Sequence, residues 1–279
     1  MLATTRRFGL INKTTFSRAA YTSCAASTSQ PLHPDRPIGY ISLVQQQIPY
    51  DVGLALQDFL VDRRHQINRN ARDARDTDSE NLVLFLQHPP TYTAGRRIRG
   101  KTEREQEEKL RKLGADYYET MRGGQITFHG PGQLIAYPIL DIRDFQLNVR
   151  CYVSRLEKTV IDCCARYGIK ANTTENTGVW IGQEHKIAAL GVHLQRYVSS
   201  HGLALNCNVD LSWYQHIIPC GLEDKKVTSI SEQLRKLVSP SNTMPVLVKS
   251  FEHLFGVPLQ PIDPNGLLAE RVKEITNGR

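Results

Sequence analysis

Three polar islands interrupt apolar stretches of the chain, and their residue types suit acyl chemistry. The first is 122-RGGQITFHGPGQLIAYP-138, in which Gly123-Gly124 and Gly130-Pro131-Gly132 flank an alternating stretch through Ile126 and Phe128. Glycine costs backbone entropy wherever it is used, so two such clusters mark places where something lies close against the main chain. A hairpin with loose ends is the plainer reading of the same composition. The second island is Lys186, which starts an apolar strand and is followed by Ala188, Ala189 and Gly191. Small residues there leave apolar volume beside the sheet, which an acyl chain needs. A lysine that only snorkels at a strand end fits the position as well.

The third island is 219-PCG-221. Most cysteines are inert small hydrophobes, and Cys151, Cys163, Cys164 and Cys207 sit on predicted helices or strands in that manner. A thiol in a loop between Pro219 and Gly221 can instead be reached by a substrate carbonyl. It reacts as its thiolate, and a nearby ammonium lowers a thiol pKa from about 8.5. Lys186 and Cys220 are therefore a sufficient pair for acyl transfer, the cation favouring the thiolate and later moving protons. The 34 positions between them leave open whether the fold brings them together.

The elements that must hold these groups follow from periodicity. The stretch 39-GYISLVQQQIPY-50 predicts a strand, and residues 51–66 an amphipathic helix with Leu54, Leu56, Leu60 and Val61 on its apolar side. Residues 64–81 are charged and nearly free of apolar side chains, which predicts the helix end and an exposed loop. The run 82-LVLFLQ-87 reads as a buried strand, and 88-HPPTYTAGRR-97 as a turn rich in Pro and Gly. A charged helix is predicted over 101–113, strands through Ile126–Phe128 and Leu134–Tyr137, and a helix over 150–167. Further strands fall at 178–182, 186–194 and 202–209. Ser229 and Glu232 predict a capping box for a helix through Leu237, and residues 245–255 another helix stopped by Gly256. Strands that first alternate with helices and then run consecutively favour one α/β (α+β) domain, a mixed central sheet flanked by helices.

Length and charge narrow the classes of function. A chain of 279 residues can bury a large core as one domain or two. No apolar run approaches the ~20 residues of a membrane span. Of the +7 formal charge, +4 falls in residues 1–34, from Arg6, Arg7, Lys13 and Arg18, with no acid before Asp35. That segment is also rich in Ser, Thr and Ala, the composition of a mitochondrial transit peptide, although a disordered N-terminus without function would look similar. The rest is mildly basic, argues little for nucleic acid and suits an acidic protein partner. The chain has no CxxC pair and no secretory apolar segment, so neither a metal site nor disulfides are expected.

Four blocks, in order, carry a resemblance to a known family: 88-HPPTYTAGRR-97, 122-RGGQITFHGPGQLIAYP-138, 186-KIAALGVHL-194 with 201-HGLALNCNVDL-211, and 219-PCGLEDKKVTSI-230. Over roughly residues 38–255 the chain resembles the lipoyl(octanoyl) transferases, which move octanoyl from acyl carrier protein to a lysine of lipoyl-bearing proteins. The resemblance implies a sheet related to those of biotin and lipoate protein ligases. It also implies Cys220 as the acyl-carrying nucleophile, with Lys186 lowering its pKa and assisting proton transfer. Substrate binding is implied at Arg122, Gly123, Gly124, Gln125, Ile126, Thr127, Phe128 and His129, at Ala189, Leu190 and Gly191, and at Ser200, His201 and Gly202. Arg96 and Tyr137 are implied in support. The glycine clusters are then expected to let backbone lie against the acyl chain and its thioester head.

His193 stands where many members carry Arg, and residues 64–81 and the tail after 256 have no clear counterpart. The organisation implied is a presequence over 1–34, a catalytic domain over 35–260 and a tail over 261–279. No cofactor is implied, because octanoyl rides on the phosphopantetheine of its donor. The implied acceptors are lipoyl domains of 2-oxoacid dehydrogenase E2 subunits and the glycine cleavage H protein, in the mitochondrial matrix. Two other readings stay open: an ATP-dependent lipoate or biotin ligase on the same fold, and a non-catalytic adaptor that binds acyl carrier protein or a lipoyl domain.

Overall fold

The computed structural model describes residues 31–70, 81–217, 225–263 and 265–278, the side chain of Asn70 apart. In chain order the elements are β1 (Ile38–Gln47), α1 (Tyr50–Asn70), β2 (Leu82–Gln87), β3 (Thr91–Ala94), α2 (Arg104–Lys112), β4 (Asp116–Glu119), β5 (Ile126–His129) and β6 (Gln133–Ile139). Then come α3 (Val149–Arg166), β7 (Val179–Ile181), β8 (His185–Gln195), β9 (Val198–Asn206), β10 (Lys226–Val227), α4 (Ile230–Leu234), α5 (Pro240–Phe255), β11 (Leu259–Pro261) and α6 (Leu267–Asn277). No helix among the described residues is long and apolar enough to cross a membrane.

The large sheet runs β10-β8-β9-β6-β2-β1-β11, with β7 also paired to β8. Its centre is antiparallel, while β1 lies parallel to both β2 and β11, and β10 parallel to β8. The mixed sheet expected from the order of elements is therefore present. Side chains alternate between faces along a strand, and β2 uses both. Val83 and Phe85 join the core under α3 and α5, with Leu156, Val160, Leu247 and Phe251. Leu82, Leu84 and Leu86 join the core under α1 and α6, with Val52, Leu56, Leu60 and Val272. A strand buried on both faces has no polar alternation, which is why 82-LVLFLQ-87 reads as a continuous apolar run.

Several elements differ from the periodicity. Residues 91–94 form a buried strand, not part of a turn, because Tyr92 and Ala94 point into a third core with Leu110, Tyr117 and Phe128. This β3 is the middle of a separate sheet, β4-β3-β5. The helix α1 continues to Asn70 beyond its apolar stripe. Its last turns hold by polar contacts instead: Arg64 donates to Asp144 at 2.7 Å and Asn68 to Asp141 at 2.9 Å. Toward the C-terminus, α4 stops at Leu234, where Arg235 turns left-handed, so Leu237 lies outside it and 74% exposed. Beyond Pro261 the chain forms α6, which buries Ala269 and Val272. Cys163, Cys164 and Cys207 are free and buried as read, whereas Cys151 is disulfide-bonded, against the expectation of free thiols.

Candidate active site

The groove between the large and small sheets holds a cavity of about 720 Å³, counted out to its mouth. Strands β8 and β9 form one wall, through Lys186, Ala189, Leu190 and Gly191 and through His201, Gly202, Leu203, Ala204 and Asn206. The loop before β5 and β5 itself form the other, through Arg122, Gly124, Gln125, Ile126, Thr127 and His129. Tyr50, Tyr137, Thr177, Tyr214 and Val227 complete it. The structure thus brings twelve of the residues named above for substrate binding or support to one cavity, together with Lys186. Gly123, Phe128, Ser200 and Arg96 are not among its lining. Phe128 is fully buried and stacks on Trp213, with ring centroids 5.2 Å apart. Alternation along β5 sends it to the far side from Thr127 and His129.

Glycines shape the cavity mainly by letting backbone meet backbone. The Gly123 N–H donates to the Val192 carbonyl at 3.0 Å, fastening the loop 122–125 to β8. A Cβ on Gly191 would sit 2.7 Å from the Gly123 oxygen, and one on Gly95 would sit 2.4 Å from the Gly124 oxygen. Gly130-Pro131-Gly132, expected against the acyl chain, lies outside the cavity wall. A Cβ on Gly132 would strike the Asn208–Val209 backbone at 2.7 Å, so this cluster serves the strand connection itself. Arg122 braces the loop from inside. Its guanidinium donates to the Thr93 carbonyl at 2.6 Å, the Thr93 hydroxyl at 2.8 Å, the Gln125 carbonyl at 2.9 Å and the Gly123 carbonyl at 2.9 Å. Arg96 is exposed, and its backbone N–H donates to the Arg122 carbonyl at 2.9 Å. Burial, and then the Arg96 charge, hold His193 below the usual imidazole range.

The floor is polar but neutral. The Tyr137 hydroxyl meets His88 Nε2 at 2.8 Å, while His88 Nδ1 meets the Ile48 carbonyl at 2.6 Å. Since a carbonyl only accepts, Nδ1 carries the proton and Tyr137 donates to Nε2. His129 contacts Gln133 at 2.9 Å, and Gln133 donates to Asn206, also at 2.9 Å. Burial pushes His88 down to about 4 and His201 down to about 3, and holds His129 well below its usual range. Burial likewise raises Tyr50 to about 12. Such a floor is uncharged at neutral pH and compatible with an apolar ligand.

Lys186 is 5% exposed, at the β10 end of the cavity. Its Nζ lies 4.6 Å from the centroid of the Trp180 ring, a cation–π contact. Gly178, at φ +134°, places backbone so close that a Cβ would meet Lys186 Cε at 3.2 Å. The Gly178 N–H is in turn held by Glu157 at 3.0 Å. Strand β10 pairs in parallel register beside it, Lys226 with His185 and Val227 with Lys186. Cys220 lies outside the described residues.

Periodicity did not point to Tyr50, Thr177, Tyr214 or Val227. Tyr50 closes the stretch that predicts the first strand, and no local pattern separates it from a core tyrosine. Asn206 carries a signal in hindsight, a lone amide closing the apolar run 202-GLALN-206.

The chain matches the lipoyl protein ligase A/B catalytic domain family over residues 49–252. It is 50% identical over 179 residues to a mitochondrial octanoyl-acyl-carrier-protein:protein N-octanoyltransferase of Danio rerio, covering 64% of this chain and 79% of that one. The corresponding protein of Homo sapiens is 40% identical over 212 residues, covering 75% and 90%. Among solved structures, lipoate-protein ligase A bound with ATP superposes with TM-score 0.60 at 12% identity, covering 88% of this chain and 95% of that one. LipL1 of P. falciparum in complex with lipoate gives TM-score 0.59 at 13% identity, covering 86% and 71%. At such low identity these structures bear on the fold alone, and it is the lipoate ligase fold. With the family matched over most of its length and relatives of 40% identity or more nearly spanned, the chain belongs to the lipoyl protein ligase A/B catalytic domain family and is an octanoyltransferase within it.

Proposed function

We propose that this acyltransferase takes octanoyl from the phosphopantetheine of acyl carrier protein and passes it to a lysine of a lipoyl domain, through a thioester on Cys220. The setting of Lys186 carries this reading. It is a buried lysine at the end of a cavity with an apolar middle, and the chain returns beside it at Lys226, six residues after Cys220. In the first step the Cys220 thiolate attacks the donor's thioester carbonyl. The new C–S bond forms as the bond to the phosphopantetheine sulfur breaks, and the departing thiolate takes a proton from the Lys186 ammonium. In the second step the acceptor's lysine amine attacks the enzyme thioester. The C–N bond forms, the C–S bond to Cys220 breaks, and the amine's proton returns to Lys186. Thioester exchange is nearly balanced and amide formation is downhill, so no nucleotide is consumed.

The acceptors in this reading are E2 lipoyl domains and the glycine cleavage H protein, in the mitochondrial matrix, with residues 1–34 as the transit peptide. The mitochondrial names of the relatives support the location. Intact-protein mass spectrometry after incubation with octanoyl-acyl carrier protein, without ATP, tests the mechanism. The expected result is one added octanoyl group, absent in Cys220→Ser. An adduct that requires ATP would point to the ligase, and no adduct under either condition to an adaptor.

A further inference from the structure

Resting on that reading, we infer that Glu157 on α3 is a positioning residue of the site. From behind Gly178 its carboxylate balances the Lys186 ammonium and holds it charged for the nucleophile.

The helix itself makes this carboxylate stand out. Val153, Glu157, Val160 and Cys164 fall at helical spacing, one stripe along the side that α3 turns to the sheet. Val160 and Cys164 are fully buried, as is Leu156 beside Glu157. A carboxylate in such a stripe loses water and needs compensation from the protein. Glu157 receives it twice. Its Oε1 accepts from the Gly178 N–H at 3.0 Å, and it lies within the field of the Lys186 charge. Burial pushes the Glu157 carboxyl up, while the hydrogen bond and the lysine draw it part of the way back.

Gly178 touches both members of the pair. Its N–H binds Glu157, and a Cβ on it would meet Lys186 Cε at 3.2 Å and Cδ at 3.5 Å. The bare glycine thus lets the lysine stem lie directly over the peptide that the carboxylate grips. Trp180 faces the ammonium from β7, as a ring without net charge. His185 and Lys226 are register partners on β8 and β10, and strand alternation turns them to the face opposite Lys186. On the cavity side, the Tyr214 hydroxyl donates to Asn206 at 3.2 Å. Arg155, two residues before Glu157, covers Phe255 instead. A lysine only 5% exposed keeps its charge at less cost when a carboxylate stands behind it.

Glu157→Gln tests this, because it keeps the side-chain size and an oxygen for the Gly178 N–H but removes the charge. Acylation by octanoyl-acyl carrier protein is followed against pH, where the basic limb marks loss of the lysine's proton. That limb should move down by about one pH unit, whereas a residue that only braces Gly178 would leave it in place. Urea unfolding supplies a second measurement that needs no acylation. Glu157→Gln should lower the midpoint in the wild-type background, and leave it unchanged or raise it in Lys186→Met, where the carboxylate has lost its cation. If Glu157→Gln alone fails to fold, a folded double variant reports the same coupling, and one that also fails to fold overturns it. An unmoved basic limb, or equal midpoint shifts in the two backgrounds, overturns the inference. If wild type is not acylated at all, the proposed function falls, and the urea comparison alone decides whether Glu157 and Lys186 are coupled.

Discussion

The Lys186 ammonium rests 4.6 Å from the centre of the Trp180 ring, on a side chain only 1% exposed. Cation–π contacts of this kind are worth about 0.5–2 kcal/mol when shielded from water. In the proposed mechanism Trp180 would act as a positioning residue for Lys186, and the Glu157–Gly178 hydrogen bond fixes the backbone beside the lysine. Lys186→Met should move the alkylation midpoint of Cys220 up to the ordinary thiol value of about 8.5. Trp180→Phe, which keeps a weaker aromatic face, should slow acylation by roughly tenfold or less. Iodoacetamide alkylation against pH reads the first effect, and an unchanged midpoint in Lys186→Met would remove the lysine from the proposed mechanism.

Gly191→Ala tests whether the loop 122–125 needs backbone contact with β8. Its Cβ would lie 2.7 Å from the Gly123 oxygen, a backbone atom that cannot rotate away. Overpacking of this kind costs about 1–3 kcal/mol. Acylation should fall with it, since displacing Gly123 and Arg122 changes the wall facing the acyl chain. Urea denaturation and the acylation rate together check this. A variant as stable and as fast as wild type would show that the loop is not fastened as described.

The buried histidines make stability depend on pH. His88 and His201 have folded pKa values near 4 and 3, below the usual value of about 6.5 that they regain on unfolding. Between those limits the unfolded chain binds more protons, so stability rises with pH there and is lost as pH falls from 6.5 toward 4. The slope is about 1.4 kcal/mol per pH unit for each histidine once the unfolded form is protonated. Lowering pH from 7 to 5 should therefore lower the unfolding free energy by roughly 2–4 kcal/mol. Urea midpoints at the two pH values measure it, and equal midpoints would mean that these rings are not buried neutral.

Some of this was readable from sequence because it is local. Alternation identified β5, an unbroken apolar run identified β2, and the turn chemistry of Gly256 ended α5. The polar islands at Arg122–His129 and Lys186 stood out because a charged or imidazole side chain among apolar neighbours breaks a short-range pattern. The four spaced blocks were specific enough to name the family.

Other features depended on partners far along the chain, which no window contains. Tyr50 reaches the cavity only because α1 starts next to His88 and His129, whose rings lie 4.9 and 6.0 Å away. Alternation alone could not tell that β5 belongs to a second sheet, which sends Phe128 to the core while Thr127 and His129 face the cavity. Glycine composition announced a close approach without saying to what, and the answer at Gly191 is another strand's connecting loop. The sequence by itself determined which residues can do acyl chemistry and in which family. Only the tertiary structure decided which of them share one cavity, because burial and hydrogen bonding are satisfied between elements and not within them.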